Sequence, residues 1–296
     1  MKGENKPPAR EDFRFFDRLR VRWVEVDMQK IVFNGHYLMY LDTAVAAYWR
    51  GLAVDYGPAM HAMGGDLYVK KATLEYHASA RMDDLLDVGL RCKRIGNSSM
   101  VFEGGVFCGP QLLVSGELVY VFADPATQTS RPVPQALRDL LNGFEAGEPM
   151  VRVQLGAWAE LGPSAAALRQ AVFVEEQGFP ADEEVDAADP MPSTAHAVAF
   201  NRLGDAVATG RLMATTDPGV MKVGRMATLR VLRGGGLASQ VLRSLEAEAL
   251  RRGARQLVLH AQTQALAFYQ RAGYASDGPP FEEDGAPHQR MTKMLG

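Results

Sequence analysis

Residues 37–52 constrain the first half of the chain more than any other stretch. Tyr37, Leu38, Leu41, Ala44, Val45, Tyr48, Trp49 and Leu52 recur at three-to-four spacing, so one wide face of a helix is apolar. Such a face must be covered. Four later runs, 67–76, 85–95, 100–108 and 112–122, read as strands; Leu86, Val88, Leu90 and Cys92 alternate in the second, and Leu118, Tyr120 and Phe122 in the fourth. Upstream, Leu19, Val21 and Trp23 alternate with Arg18, Arg20 and Arg22, the pattern of a half-buried strand. One apolar helix and a strand meander predict an α+β domain in which an antiparallel sheet wraps round a central helix. Nothing in the strand count covers the sheet edges, so a homo-oligomer, dimer or tetramer, is expected through this domain.

At 296 residues the chain is too long for one ordinary core. Residues 124–151 carry DPATQTSRPVP, a short amphipathic piece (Leu137, Leu140, Leu141) and GFEAGEP, which reads as a domain end plus linker. The expected division is 1–147 and 148–296. In the second part, 165–177 is helix-like, 195–201, 206–214 and 222–229 read as strands, and 237–252 is a helix with Val241, Leu242, Leu245 and Ala249 inward. A strand at 256–260 and a short helix at 266–272 complete an α/β domain.

Composition narrows the function classes. The chain is 47% hydrophobic and 23% charged, and no apolar run approaches the roughly 18 residues that cross a bilayer. The opening MKGENKPPAREDF has no apolar signal core, which predicts a cytoplasmic protein. Cys92 and Cys108 lack CxxC or Cys/His spacing, so no metal is expected. A net charge of -3 without a basic stripe argues against nucleic acid as a partner.

The glycine run in VLRGGGLASQVL, 231–242, lies between a strand and a helix whose first acid is Glu246. A helix start with bare backbone and no acid of its own is an anion cradle. Taken alone, a flexible loop before a helix has an equal claim. No GK followed by Ser or Thr is present, and GxGxxG does not open a βαβ unit here. Arg233-x-x-Gly236-x-Ala238 does resemble the pyrophosphate-binding signature of the GNAT N-acetyltransferases. AVFVEEQGFPADEEVD (171–186), TGRL (209–212), VGRMA (223–227), LHAQTQALAFYQRAGY (259–274) and FEEDGAPHQRM (281–291) look like successive blocks of one branch of that family.

The resemblance implies acetyl-CoA in a gap between two strands. Its diphosphate would lie on Arg233, Gly234, Gly235, Gly236, Leu237 and Ala238, and its pantetheine arm and thioester on the strand holding Met226 and Thr228. It further implies a small-molecule amine as acceptor and Tyr269 as the acid for the departing thiolate. Glu175 and Glu176 fall where substrate should enter. His288 is preferred to His260 as a site histidine.

RWVEVDMQKIVFNGHYLMYLD, 22–42, is similar to the opening block of hotdog-fold acyl-CoA thioesterases of the hydroxybenzoyl-CoA thioesterase type. LEY (74–76), ARMDD (80–84), GNSS (96–99) and RPVP (131–134) agree. This resemblance implies that Asp27 is the catalytic carboxylate, while the helix start near His36 and Tyr37 polarises an acyl-CoA carbonyl. Two positions depart from the family: Lys30 stands where a glycine is usual, and His36 where an asparagine is frequent, although Asn34 is near enough to replace it. Two CoA-thioester enzymes in one chain is the expected reading. Its alternative keeps the transferase and makes the first domain a binding and oligomerising module.

Overall fold

The computed structural model describes residues 6–283 and 285–296, which form two compact units meeting between Met150 and Val151. In the first, β1 (Phe15–Arg20) leads through a 3-10 turn to α1 (Asn34–Gly51) and the short α2 (Tyr56–Ala62). Next come β2 (Asp66–Tyr76), β3 (Leu85–Ile95), β4 (Ser99–Cys108), β5 (Gln111–Ala123) and α3 (Gln135–Glu145). All five strands join one antiparallel sheet in the order β1-β3-β4-β5-β2. Tyr37, Tyr40, Leu41, Ala44, Val45, Tyr48 and Trp49 form the buried face of α1.

Helix and sheet approach closely where Gly104 of β4 pairs with Gly116 of β5 beneath Leu41. A Cβ at Gly104 would stand 2.4 Å from the Leu41 side chain, and one at Gly116 2.7 Å from it. Glycine is required at both. Gly104→Ala should therefore destabilise the first unit by about 1–3 kcal/mol, the cost of overpacking, read as a lowered unfolding midpoint of the full chain.

Three expectations need correction. Trp23 is not on a strand: β1 ends at Arg20, and Trp23 lies 80% exposed in the 3-10 turn. The cause is local, because the Arg22 N–H donates to Glu25 Oε2 at 2.7 Å and turns the backbone away from the sheet. Leu38 faces outward, at the edge of the apolar stripe. Residues 135–145 are no linker; α3 buries Leu137, Leu140 and Leu141, and its Glu145 carboxylate accepts from Tyr48 Oη at 2.6 Å and the Cys92 N–H at 2.7 Å. Burial pushes the Cys92 thiol up to about 12, so it is an inert packing group.

The second unit begins with β6 (Val151–Gly156) and α4 (Trp158–Arg169), which continues as a π-helical segment over Gln170–Glu176. There follow β7 (Ala195–Asn201), β8 (Ala206–Ala214), β9 (Val220–Thr228), α5 (Leu237–Arg251), β10 (Gln256–Gln262), α6 (Leu266–Arg271), β11 (Ala275–Ser276), β12 (Phe281–Glu283) and β13 (Ala286–Met294). The sheet order is β11-β13-β10-β9-β8-β7-β6, with β12 against β13. β9 and β10 are parallel, and the other pairs among the described residues are antiparallel. Val241, Leu242, Leu245 and Ala249 are buried, as the periodicity of α5 predicts. Among the described residues, no helix is long and apolar enough to cross a membrane.

Candidate functional site

In the second unit the sheet opens. β9 and β10 pair over Gln256–Val220, Leu257–Met221 and Val258–Lys222, and then part. A bulge in β9 contributes: Arg211 faces Gly224 and Thr209 faces Ala227, leaving Arg225 and Met226 opposite Gly210, with Arg225 at φ 51°. Glycine suits position 210, since a Cβ there would stand 2.4 Å from Met226 Sδ. The gap leads into a cavity of about 1190 Å³ that Met226, Thr228, Tyr269 and His288 line together with much of the glycine turn.

That turn is built from left-handed backbone, with φ 85° at Gly234 and 80° at Gly236. α5 begins directly after it, and no acid occupies its first turn. Gln240 donates to the Gly236 carbonyl at 3.2 Å, but the N–H groups of Leu237, Ala238 and Ser239 donate to nothing among the described residues. Three orphan donors and the positive end of the helix thus face one cavity. The Leu237 side chain itself is core, so its part in the cradle is its backbone. Gly235 does not line the cavity. Arg243 and Arg271 do, without an ion pair among the described residues. Sequence reasoning missed both, because neither belongs to the motif.

Arg233 is differently engaged. Its two terminal nitrogens each donate to a Glu176 oxygen at 2.7 Å, and Nε donates to the Thr228 carbonyl at 3.1 Å. Hydrogen bonds from Arg233 hold the Glu176 carboxyl below its ordinary range. Glu176 therefore meets the site through Arg233, while Glu175 is exposed and away from the cavity.

Tyr269 is buried, and that burial pushes its phenol well above the ordinary value. It therefore keeps its proton near neutral pH. The buried His288 contacts the Ala286 carbonyl at 2.9 Å through Nδ1 and stacks on Phe281. His260 lines the cavity too, with Nδ1 at 2.8 and 3.0 Å from the two Glu283 oxygens.

One wall of the cavity is an ionic cluster whose pairing no sequence pattern reveals. Arg169, 1% exposed, donates to Asp189 at 3.0 and 2.8 Å and also meets Glu184. Arg211 bonds Asp186 at 2.8 and 2.9 Å and Asp189 at 2.8 Å. Burial alone would raise Asp189, but hydrogen bonds from Arg169, the Asp186 N–H and Arg211 overcome it and hold the carboxyl far below the usual range. Burial prevails at Glu184, which is raised despite Arg169. Glu184, Asp186 and Arg211 reach the cavity. Glu184, Asp186 and Arg211 fall in the stretches 171–186 and 209–212 that resemble the GNAT family, but no sequence pattern pairs them with Arg169 and Asp189.

In the first unit, Asp27 lies in a pinched loop. Val26 bridges Val32, and the Phe33 N–H donates to the Glu25 carbonyl at 2.9 Å, which ties Asp27's limb to the residues opening α1. Asp27 Oδ1 accepts the Gln29 N–H at 2.8 Å. His36 donates its N–H to the Phe33 carbonyl, whereas those of Asn34 and Gly35 find no partner among the described residues. The Tyr37 side chain is a structural pin: it is buried, and its hydroxyl accepts the Ala80 N–H at 2.8 Å. Asn34 is exposed. His36 has a buried, unpartnered Nδ1. Lys30 adopts φ 61°, the left-handed backbone that glycine tolerates best. Glu25, missed in sequence, is almost fully buried and accepts from Tyr40 Oη at 2.9 Å and from Arg22.

Comparison with known proteins agrees with both units. An acetyltransferase (GNAT) domain model matches residues 186–295, and a thioesterase superfamily model matches residues 29–115. A Bacillus subtilis protein named as an acetyltransferase is 35% identical over 127 residues, covering 43% of this chain and 85% of that protein. The Bacillus subtilis N-acetyltransferase YjcF is 34% identical over 128 residues, covering 43% of this chain and 87% of its own. The chain joins a thioesterase-superfamily hotdog domain to a GNAT acetyltransferase domain. Among solved structures, a Thermus thermophilus thioesterase complexed with coenzyme A and zinc is 24% identical, with a TM-score of 0.41, covering 47% of this chain and 99% of that one. The thioesterase match begins two residues after Asp27, and the GNAT match begins at Asp186, after Glu175 and Glu176.

Proposed function

We propose that the GNAT domain transfers an acetyl group from acetyl-CoA to a small-molecule amine, and that the hotdog domain hydrolyses acyl-CoA thioesters. The observation that best supports the first activity is the row of unpartnered N–H groups of Leu237, Ala238 and Ser239 at the head of α5, open to the cavity. In this reading they hold the CoA diphosphate, helped by Gly234 and Gly236, with Arg243 and Arg271 for phosphate charge. Arg233 can join them by exchanging Glu176 for phosphate. The freed edge of β9 at Met226 and Thr228 receives the pantetheine arm, and its N–H groups stabilise the oxyanion as the amine attacks. Tyr269 then protonates the departing thiolate. Tyr269→Phe should slow transfer about 100-fold while changing acetyl-CoA affinity little, measured by single-turnover kinetics beside calorimetry. An unchanged chemical step would remove Tyr269 from the mechanism.

For the hotdog domain, Asp27 supplies the nucleophile or activates water, and the free N–H groups at the start of α1 receive the developing oxyanion. The same loop leaves Trp23, Val24, Met28 and Phe33 largely exposed. A second copy of the chain covering these side chains is the oligomer we propose. A second reading, in which this domain binds acyl-CoA without turnover, is favoured by the Asp27 contact with Gln29 and by the left-handed Lys30. Hydrolysis assays across acyl chain lengths separate the two.

A further inference from the structure

We propose that His260, oriented by Glu283, is the base that takes the proton from the acceptor amine; this rests on the transferase reading above. An alkylamine is an ammonium near neutral pH and has no lone pair for attack until it loses a proton. His260 is placed for that task. It is the second residue of β10 beyond the last pair with β9, so it stands where the sheet opens, and it lines the same cavity as Tyr269 and Met226. Both Glu283 oxygens lie within 3.0 Å of Nδ1, so Nδ1–H donates to the carboxylate. That fixes the tautomer and leaves the lone pair on Nε2, which no hydrogen bond engages among the described residues. The Phe281 ring packs edge-on at 4.9 Å and limits rotation of the imidazole.

The charges around His260 are mixed. Glu283 faces it from β12, and Lys222 from β9 places Nζ 3.4 Å from Nδ1. Arg290, its partner on β13, is turned to Asp277 at 2.8 Å. Glu283 and Lys222 thus bring opposite charges to the same ring nitrogen. His288 is less suited, since its Nδ1 faces the neutral Ala286 carbonyl rather than a carboxylate and its ring stacks against Phe281.

The proton balance closes. His260 Nε2 takes one proton from the ammonium and passes it to water, and the free amine attacks the thioester carbon. On collapse the C–S bond breaks, sulfur takes the Tyr269 proton, and the second amine proton restores the phenol. One proton is released per acetyl group transferred.

The test uses the full chain, acetyl-CoA and two acceptors: n-butylamine, an ammonium near neutral pH, and hydroxylamine, which is mostly uncharged there. His260→Gln should lower kcat/KM about 100-fold for n-butylamine and less than about 3-fold for hydroxylamine, with calorimetric acetyl-CoA binding unchanged. Glu283→Gln should lower kcat about 10-fold with n-butylamine at little changed KM, and cost less than about 3-fold with hydroxylamine, because the carboxylate that orients the imidazole is gone. Equal losses with both acceptors, no loss with either, or a wild-type protein that binds acetyl-CoA yet never acetylates n-butylamine would each overturn the assignment. Failure of the wild-type protein to bind acetyl-CoA would instead reject the transferase reading beneath it.

Discussion

Replacing Gly236 by glutamate should weaken acetyl-CoA binding to the GNAT domain at least about 1000-fold, equivalent to about 4 kcal/mol. Two costs add. Gly236 holds φ 80°, where a residue with a Cβ loses about 1–2 kcal/mol. The carboxylate would also enter the position reserved for a diphosphate, at the head of a helix with no other acid in its first turn. Gly236→Ala separates the two, because its Cβ meets nothing within 4 Å and only the backbone cost remains. About a tenfold loss is expected from alanine. Equal effects of the two substitutions would mean that no anion sits there.

Asp27→Asn should abolish acyl-CoA hydrolysis by about three orders of magnitude while leaving CoA binding to the hotdog domain nearly intact. Asparagine is the informative choice. Its side-chain oxygen can still accept the Gln29 N–H that Asp27 Oδ1 holds at 2.8 Å, so the loop keeps its shape and loses only the nucleophile or base. Steady-state hydrolysis of several acyl-CoAs gives the answer. Rates equal to wild type would leave this domain as a binding and oligomerising module.

How far the sequence could be read depended on whether the signal was local. The helix over 237–252 was legible because Val241, Leu242, Leu245 and Ala249 fall on one face, and α5 ends one residue earlier, at Arg251. The strands at 195–201 and 206–214 match β7 and β8 for the same reason. Trp23 misled because alternation is only a tendency, and the Arg22–Glu25 contact curls the backbone locally. α3 read as linker because its flanks are rich in proline and glycine, although its three leucines required a surface to cover. Lys30 was flagged by its difference from the family glycine, and its left-handed φ gives the physical basis for that glycine.

Other parts of the site were written in pairs that only folding brings together. Arg169 and Asp189 are 20 residues apart, and His260 and Glu283 are 23 apart. No periodicity links such partners. Arg233 and Glu176, 57 residues apart, hold one another through two hydrogen bonds. The glycine turn needed no partner, since its chemistry lies in backbone that three adjacent glycines leave bare.

The most direct measurement is a crystal structure of the full chain grown with CoA. The diphosphate oxygens should lie within hydrogen-bond distance of the N–H groups of Leu237, Ala238 and Ser239, with the thiol pointing toward Tyr269. Density for the nucleotide elsewhere on the second unit, with those donors facing only solvent, would contradict the account.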